Sequence, residues 1–148
     1  MPCPYNYGTM AMAKTTVLFL CVGNAARSQM AEGLANALLG DKVQAFSAGS
    51  RPAGIVSSRA IEVMKEIGID ISGQRSKHLD EFQGREFDYV ITLCEDARQA
   101  CPFFPARIKN LHFGFPDPAA AAGDREQALI VFRQVRDQIR KMILELFP

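Results

Sequence analysis

The chain has 148 residues, of which 48% are hydrophobic and 22% are charged, and its formal net charge is +1. This length and composition predict one globular domain. The small net charge gives no electrostatic basis for binding nucleic acid or an anionic membrane. No apolar run reaches the roughly 18 residues of a membrane span, and the run 17–22 is too short for the core of a signal peptide. We therefore expect a cytoplasmic protein, in which the four cysteines are catalytic, redox-active or buried rather than a disulfide framework.

The first residues are rich in proline and methionine and show no periodicity. We interpret 1–13 as an N-terminal extension, disordered or non-native, and 14–148 as the domain. The apolar run 16–20 predicts a strand that is buried on both faces. A helix is expected from Arg27 to Gly40, with one apolar face formed by Met30, Leu34, Leu38 and Leu39. The segment 43–49 predicts the second strand.

The remaining elements continue the same alternation. A second helix is expected after a cap at Ser57 or Ser58 and before Gly68, with Ile61, Met64 and Ile67 on its apolar face. Segments 88–93 and 108–113 predict the third and fourth strands. Apolar residues at spacings of 3 and 4 predict a long closing helix within 124–147. The sequence thus predicts a single α/β domain with a four-stranded parallel sheet, order 2-1-3-4, and helices on both faces.

Reactive side chains follow three of the predicted strands. Cys21 follows the first strand, Cys94 follows the third, and Asp117 lies shortly after the fourth. In open parallel sheets, ligands bind beyond the carboxyl ends of the strands where the strand order reverses, here between the first and third strands. We expect these three residues to converge there.

The segment 21–28, CVGNAARS, joins the first strand to the first helix. Such a loop turns successive N–H groups inward over the positive end of a helix, which stabilises a thiolate at Cys21 and fits a tetrahedral oxyanion. Arg27 can grip two oxygens of that anion, and the Ser28 hydroxyl can donate to the thiolate. Gly23 is expected to permit a special conformation or a close approach, and Asn24 to fix the loop through its amide. The predicted oxyanion-binding residues are Val22, Gly23, Asn24, Ala25, Ala26 and Arg27.

The spacing C-x5-R is not specific by itself. Cys101 and Arg107 also match it, but two prolines in that segment remove N–H donors. The strand–loop–helix context distinguishes the first match from the second. The alternative is a buried structural cysteine with Arg27 in a surface ion pair.

The segment CVGNAARS resembles the phosphate-binding loop of the low-molecular-weight protein tyrosine phosphatases and of arsenate reductases built on that fold. Its continuation SQMAEG, 28–33, is similar to the arsenate reductases. The similarity extends through SAG at 47–49, AIEVMKEIGIDIS at 60–72, VITLCEDARQACP at 90–102 and HFGFPDP at 112–118. The resemblance implies a low-molecular-weight phosphatase-like fold from about Thr15 onward.

The resemblance also implies a thioredoxin-coupled arsenate reductase. Cys21 would attack arsenic, Cys94 would displace arsenite by attacking Cys21, and Cys101 would then form a disulfide with Cys94. Thioredoxin would supply the electrons, and no cofactor is expected. A helical 94–101 segment would hold the two cysteines about 10 Å apart, so it must unwind, and we expect it to be the most mobile ordered segment. Two buried structural cysteines are the alternative; the spacing is too wide for zinc, and no metal is expected.

The family resemblance implies that Asp117 is the general acid. Alanines follow Asp117 and Pro118 where the phosphatases carry aromatic residues, which favours arsenate, with phosphate or sulfate as competitors. Lys77 aligns with an acidic residue of potassium-binding relatives, and we expect its ammonium to replace the cation beside Asn24, Glu32 and Ser47; a solvated lysine is the alternative. The rival functions are a phosphatase for phosphotyrosine or small phosphate esters, and a non-catalytic oxyanion-binding or redox-sensing protein.

Overall fold

The computed structural model describes residues 13–94, 102–120 and 123–148. The predicted extension, apart from residue 13, lies outside the described residues, as does 95–101. The division into an extension and a domain and the mobility of 94–101 therefore stay predictions. None of the helices in the described part of the chain is both long enough and apolar enough to span a bilayer.

Four parallel strands form one sheet. They are β1 (Thr15–Cys21), β2 (Val43–Gly49), β3 (Tyr89–Thr92) and β4 (Lys109–His112). The strand order is β2-β1-β3-β4, so the predicted fold class and strand order are confirmed. Cys21 pairs with Gly49 of β2, and Leu20 pairs with Thr92 of β3. The carboxyl ends of these three strands therefore lie side by side.

Three α-helices connect and close the sheet. They are α1 (Arg27–Leu39), α2 (Ser58–Lys65) and α3 (Arg125–Leu146). Two short 3-10 helices span Leu79–Phe82 and Pro118–Ala120. Ser57 caps α2, and Asp124 and Gln127 form a capping box at the start of α3. The helices predicted from periodicity and capping are confirmed.

The two faces of β1 contribute to two core clusters. Val17 and Phe19 pack with buried side chains of all three α-helices. Leu18 and Leu20 face the opposite side, where the 3-10 helix Leu79–Phe82 and a group of aromatic rings cover the sheet. These rings are Phe46, Phe82, Phe87 and Phe104, in edge-to-face pairs with centroids 5.4–5.8 Å apart. The central strand is thus buried on both faces, as its apolar sequence predicts.

One helix face was predicted incorrectly. Met30, Leu34 and Leu39 of α1 are buried, but Leu38 is 39% exposed. Periodicity gives the direction of a side chain around the helix, but it does not say where along the helix the neighbouring elements end. Leu38 lies in the last turn of α1, where its side chain is exposed although it shares a helix face with buried residues.

Candidate active site

Cys21 lies at the bottom of a small cavity at the carboxyl edge of the sheet. It is the last residue of β1, it is 2% exposed, and it is a free thiol. The cavity has a volume of about 100 Å³. It is lined by Cys21, Gly23, Asn24, Ala25, Ala26, Arg27, Ser57, Asp117 and Ala119. The fold therefore brings the predicted nucleophile, oxyanion loop and acid around one space, whereas Val22 is not among the residues that line it.

The carbonyl groups of residues 22–25 are all held from outside the loop. They accept hydrogen bonds, in order, from Arg51 N at 2.9 Å, Ala53 N at 2.9 Å, Gln29 Nε2 at 3.1 Å and Ser57 N at 2.8 Å. In a planar trans peptide the next N–H points away from the carbonyl, so the N–H groups of 23–26 turn toward the cavity. Successive inward N–H groups form a concave anion-binding site.

Asn24 is the centre of the hydrogen-bond network behind the loop. It is fully buried and has a φ of 47°, in the left-handed region. Its Nδ2 donates to Ser28 Oγ at 2.7 Å and to Ser47 Oγ at 3.0 Å. Its Oδ1 accepts from Gln29 Nε2 at 3.0 Å and from Lys77 N at 2.9 Å. A non-glycine residue keeps this conformation only where the surroundings fix it, and these four bonds do so.

The glycine requirement of the loop differs from the prediction. Gly23 has no positive φ, and a Cβ there would meet no atom of the described residues within 4 Å. The expectation that Gly23 provides a special conformation is therefore wrong, because Asn24 takes the left-handed conformation; a close approach of the bound anion to Gly23 stays a prediction. A close approach within the chain occurs at Gly49 of β2, where a Cβ would collide with the Val22 carbonyl oxygen and lie 2.8 Å from that of Cys21. Gly49 lets the loop pack directly against β2.

The thiol contacts a hydroxyl and lies before the start of a helix. Cys21 Sγ lies 2.9 Å from Ser28 Oγ. Because Ser28 Oγ already accepts from Asn24 Nδ2, its hydroxyl proton can be given to the sulfur. The N-cap residue of α1, Ala26, makes no side-chain capping bond, so the first N–H groups of the helix stay available to an anion. Both features favour a negative charge at Cys21.

Arg27 and Asp117 stand together at the mouth of the cavity. Arg27 Nη1 donates to Phe115 O at 3.1 Å, and Arg27 Nη2 lies 3.9 Å from Asp117 Oδ2. The other carboxylate oxygen of Asp117 accepts from Ala119 N at 3.0 Å. The Asp117 side chain is 47% exposed. The arrangement places a carboxyl group beside the guanidinium that faces the anion site.

A half-buried ion pair lies on the far side of the loop network. Ser47 Oγ donates to Glu32 Oε1 at 2.5 Å, and Lys77 Nζ lies 3.8 Å from the same oxygen. Burial raises the pKa of Glu32, although the Ser47 hydrogen bond and the charge of Lys77 oppose the rise. Burial also lowers the pKa of Lys77, against the opposing charge of Glu32. Lys77 thus lies among the neighbours that the sequence named for it.

Of the two further cysteines of the predicted relay, the structure describes only Cys94. Cys94 follows β3 by two residues, is 4% exposed and is disulfide-bonded. Cys101 lies outside the described residues. In the described part of the chain, no three His, Cys, Asp or Glu side chains are grouped as a metal site requires. The absence of a metal nevertheless remains a prediction.

Two glutamines of the site were missed from the sequence. Gln29 Nε2 holds Asn24, and Gln74 Nε2 donates to Gln29 Oε1 at 2.8 Å. The available signal was a polar residue at position 29, in the first turn of the helix that follows the anion-binding loop. Ser57 was identified only as a helix cap, although it also lines the cavity and holds the loop.

The sequence model of the family described as low molecular weight phosphotyrosine protein phosphatase matches residues 16–147. The chain is 47% identical over 132 residues to an arsenate reductase of Halalkalibacterium halodurans, covering 89% of this chain and 94% of that relative.

Two solved structures are also similar. One is an arsenate reductase in the phosphate-binding state, with a TM-score of 0.75 and 35% identity over 89% of this chain and 95% of that chain. The other is a thioredoxin-dependent arsenate reductase of Corynebacterium glutamicum, with a TM-score of 0.68 and 31% identity over 95% of this chain and 64% of that chain. Because the family match spans nearly the whole described fold, the chain belongs to the low molecular weight phosphotyrosine protein phosphatase family.

Proposed function

We propose that this protein is an arsenate reductase that reduces arsenate to arsenite with electrons from thioredoxin. The observation that carries the proposal is the free, buried thiol of Cys21 at the bottom of a cavity of about 100 Å³. The relatives named arsenate reductase support the reaction, and the thioredoxin-dependent enzyme of C. glutamicum supports the electron donor.

Arsenate is a tetrahedral oxyanion that the loop can surround. The N–H groups of 22–27 would bind its oxygens, with Arg27 gripping two of them. The similar structure in a phosphate-binding state supports this use of the site. Phosphate and sulfate have the same shape and would compete for the same donors.

The first chemical step would attach arsenic to Cys21. The thiolate attacks arsenic(V), a sulfur–arsenic bond forms, and one arsenic–oxygen bond breaks. Asp117 donates the proton with which that oxygen leaves as water. The carboxyl of Asp117 lies beside Arg27 at the cavity mouth, within reach of an oxygen bound there.

The relay then moves two electrons to arsenic. The Cys94 thiolate attacks Cys21 Sγ, a sulfur–sulfur bond forms, and the electron pair of the broken sulfur–arsenic bond leaves arsenic(III) as arsenite. The Cys101 thiolate attacks Cys94 and releases the Cys21 thiolate. A thioredoxin dithiol reduces the remaining Cys94–Cys101 disulfide and is itself oxidised.

Two observations support the relay. Cys94 follows β3, the strand paired with β1, so it lies near the edge where Cys21 ends its strand. Cys94 is disulfide-bonded while Cys21 is a free thiol, which is the distribution that the last step would leave. Such a relay needs a reducing compartment, and we propose the cytoplasm with no cofactor besides thioredoxin.

The ammonium of Lys77 is proposed to take the place of a bound cation. The Lys77 side chain is 11% exposed, and its Nζ lies 3.8 Å from a carboxylate oxygen of the half-buried Glu32. An ionised Glu32 must accept from Ser47, which leaves Ser47 Oγ to accept from Asn24. Lys77 would thereby fix the direction of the hydrogen bonds that end at Ser28 and Cys21.

A phosphatase is the second candidate because it needs the same loop, nucleophile and acid. No aromatic side chain is found among the described residues that line the cavity, and Ala119 lies at its wall. The described part of the site therefore offers no ring to pack against a phenyl group, which favours the smaller inorganic anion.

The proposal is tested by following NADPH oxidation in the presence of thioredoxin reductase, thioredoxin and arsenate. We expect steady turnover by the wild type and none by Cys21→Ser or Cys101→Ser. Cys101→Ser should still release arsenite once per molecule, since its first two thiols are intact. Hydrolysis of a phosphate ester without any arsenate-dependent NADPH oxidation would instead identify a phosphatase.

A further inference from the structure

Gln29 is a buried amide that the reaction described above does not use. It is fully buried in the first turn of α1. Its Nε2 donates to Asn24 O at 3.1 Å, to Asn24 Oδ1 at 3.0 Å and to Arg75 O at 2.9 Å. A buried amide with this many partners is fixed in one orientation.

The contact with Asn24 O differs from the other contacts that hold the loop. The carbonyls of Val22, Gly23 and Ala25 each accept from a main-chain N–H of the segment 51–57. The carbonyl of Asn24 is held by the side chain of Gln29. Because the Asn24–Ala25 peptide is planar, the direction of this carbonyl sets the direction of Ala25 N–H.

Gln74 sets which end of the Gln29 amide faces Asn24. Gln74 Nε2 donates to Gln29 Oε1 at 2.8 Å and to Gln29 O at 3.0 Å. The oxygen of the Gln29 amide is thereby directed to Gln74 and its nitrogen to Asn24. Gly33 permits this contact, since a Cβ there would collide with Ile71 and lie 3.2 Å from Gln74 Oε1.

We propose that Gln29, oriented by Gln74, is a positioning residue that turns Ala25 N–H toward the bound oxyanion. The proposal rests on one part of the proposed function, which is that the loop binds an oxyanion. Asn24 has a φ of 47°, in the left-handed region, so its peptide needs contacts such as that of Gln29 to hold it in place. Without Gln29 the peptide would lose the bond that opposes its rotation, and one N–H donor to the anion would be misdirected.

The test is the titration of the reduced protein with inorganic phosphate, followed by calorimetry and by the backbone amide signals. Gln29→Met keeps the length of the side chain and removes its donors. The matched control is Asn36→Leu, which removes another side-chain amide of α1, bonded to the main chain of Ala45 at 2.8 and 3.0 Å. The control removes a helix-to-sheet contact of the same chemistry away from the cavity.

We expect Gln29→Met to raise the phosphate Kd about tenfold, the effect of one lost hydrogen bond, while Asn36→Leu leaves it unchanged. Phosphate should shift the Ala25 amide signal of the wild type much more than that of Gln29→Met. The signals of Gly23 and Ala26 should respond in both, because main-chain bonds hold the carbonyls before them. A purely structural role would change all three signals or none.

Equal phosphate affinity and an equal Ala25 shift in folded Gln29→Met would overturn the inference and leave the proposed function intact. Failure of the wild type to bind phosphate would overturn both. If Gln29→Met does not fold, the phosphate Kd of Gln74→Met tests the inference instead. This variant should weaken phosphate binding in the same direction, and an unchanged Kd there would contradict the inference.

Discussion

Ser28 Oγ lies 2.9 Å from Cys21 Sγ while it accepts a hydrogen bond from Asn24 Nδ2. The second contact uses the serine oxygen as an acceptor, so the first can use its proton as a donor. The network thus ends in a hydroxyl group directed at the buried sulfur. A hydroxyl that donates to a thiolate stabilises it more than it stabilises a thiol.

Substitution of Ser28→Ala should therefore make Cys21 less reactive. We expect the rate of alkylation of Cys21 by iodoacetamide at pH 7 to fall roughly tenfold or more, since hydrogen bonds to charged groups contribute about 1.5–3 kcal/mol. The rate is read from the loss of Cys21 thiol by peptide mass spectrometry. Ser72→Ala, at an exposed position, serves as the control and should alkylate as the wild type does. An unchanged rate in folded Ser28→Ala would contradict the role of Ser28.

Arg27→Lys should weaken oxyanion binding. Lysine keeps the charge, but it cannot bind two oxygens side by side, and it loses the geometry of the bond to Phe115 O. We expect the KM for arsenate to rise about 30-fold or more. Arg107→Lys is the matched control, because Arg107 completes the second C-x5-R match but pairs with Asp88. Equal KM values for the two variants would show that Arg27 does not bind the substrate.

Asp117→Asn should slow chemistry without preventing binding. The amide cannot donate a proton to the leaving oxygen, and loss of a general acid typically lowers a rate by about 10²–10⁴. We expect kcat to fall in this range while the phosphate Kd changes little, because the nearest guanidinium contact of Asp117 is 3.9 Å long. Single-turnover release of arsenite gives the rate. A normal rate would exclude Asp117 as the proton donor.

The pair formed by Glu32 and Lys77 gives a prediction about stability and pH. Burial holds the pKa of Glu32 above its ordinary value, so its favourable contribution exists at low pH, where it is protonated, and is lost as the pH rises from about 4.5. Burial holds the pKa of Lys77 below its ordinary value, so its contribution exists at high pH and is lost as the pH falls through that lowered pKa. Each group carries a cost of desolvation when it is charged.

We therefore expect Glu32→Gln/Lys77→Met to be at least as stable as the wild type at pH 7. Each single variant should lie between the wild type and the double variant in stability, because the cost of burying each charge outweighs its attraction to the partner. Urea unfolding at pH 7 gives the free energy of unfolding of the wild type, the two single variants and the double variant. The wild type should gain stability relative to the double variant as the pH falls toward 4.5. A wild type that is several kcal/mol more stable than the double variant at pH 7 would contradict this account of the pair.

Lys77 also predicts how activity depends on potassium. Since its ammonium would already supply the positive charge beside Glu32, replacing choline chloride by potassium chloride at constant ionic strength should leave wild-type activity unchanged. Lys77→Asp should become dependent on potassium, and Lys65→Asp, on a helix end away from the cavity, should not. Clear stimulation of the wild type by potassium would refute the proposal for Lys77.

The sheet and its order were predictable because the sequence signals were local. A continuous apolar run from Val17 to Leu20 marks a strand buried on both faces, and Ser57 and Asp124 mark helix starts. Parallel topology then places Cys21 at the carboxyl edge. These steps need only the periods of strands and helices and the handedness of their connections.

The support behind the loop was harder to predict because it depends on contacts across the chain. Gln29 meets residues 74 and 75, more than 40 positions away, and no local pattern shows this pairing. The same holds for the backbone: residue type favoured Gly23 for a special conformation, whereas the hydrogen bonds of Asn24 impose it there. Residue chemistry identified the atoms that face the anion, but not the side chains that orient them.

The central claim is that two thiols of this chain supply the two electrons that reduce arsenate. Its most direct test is a single turnover of fully reduced protein with excess arsenate and no thioredoxin. We expect one arsenite released and two thiols lost per molecule, with a Cys94–Cys101 disulfide in the peptide map and Cys21 still alkylatable. Arsenate bound without release of arsenite or loss of thiols would contradict it.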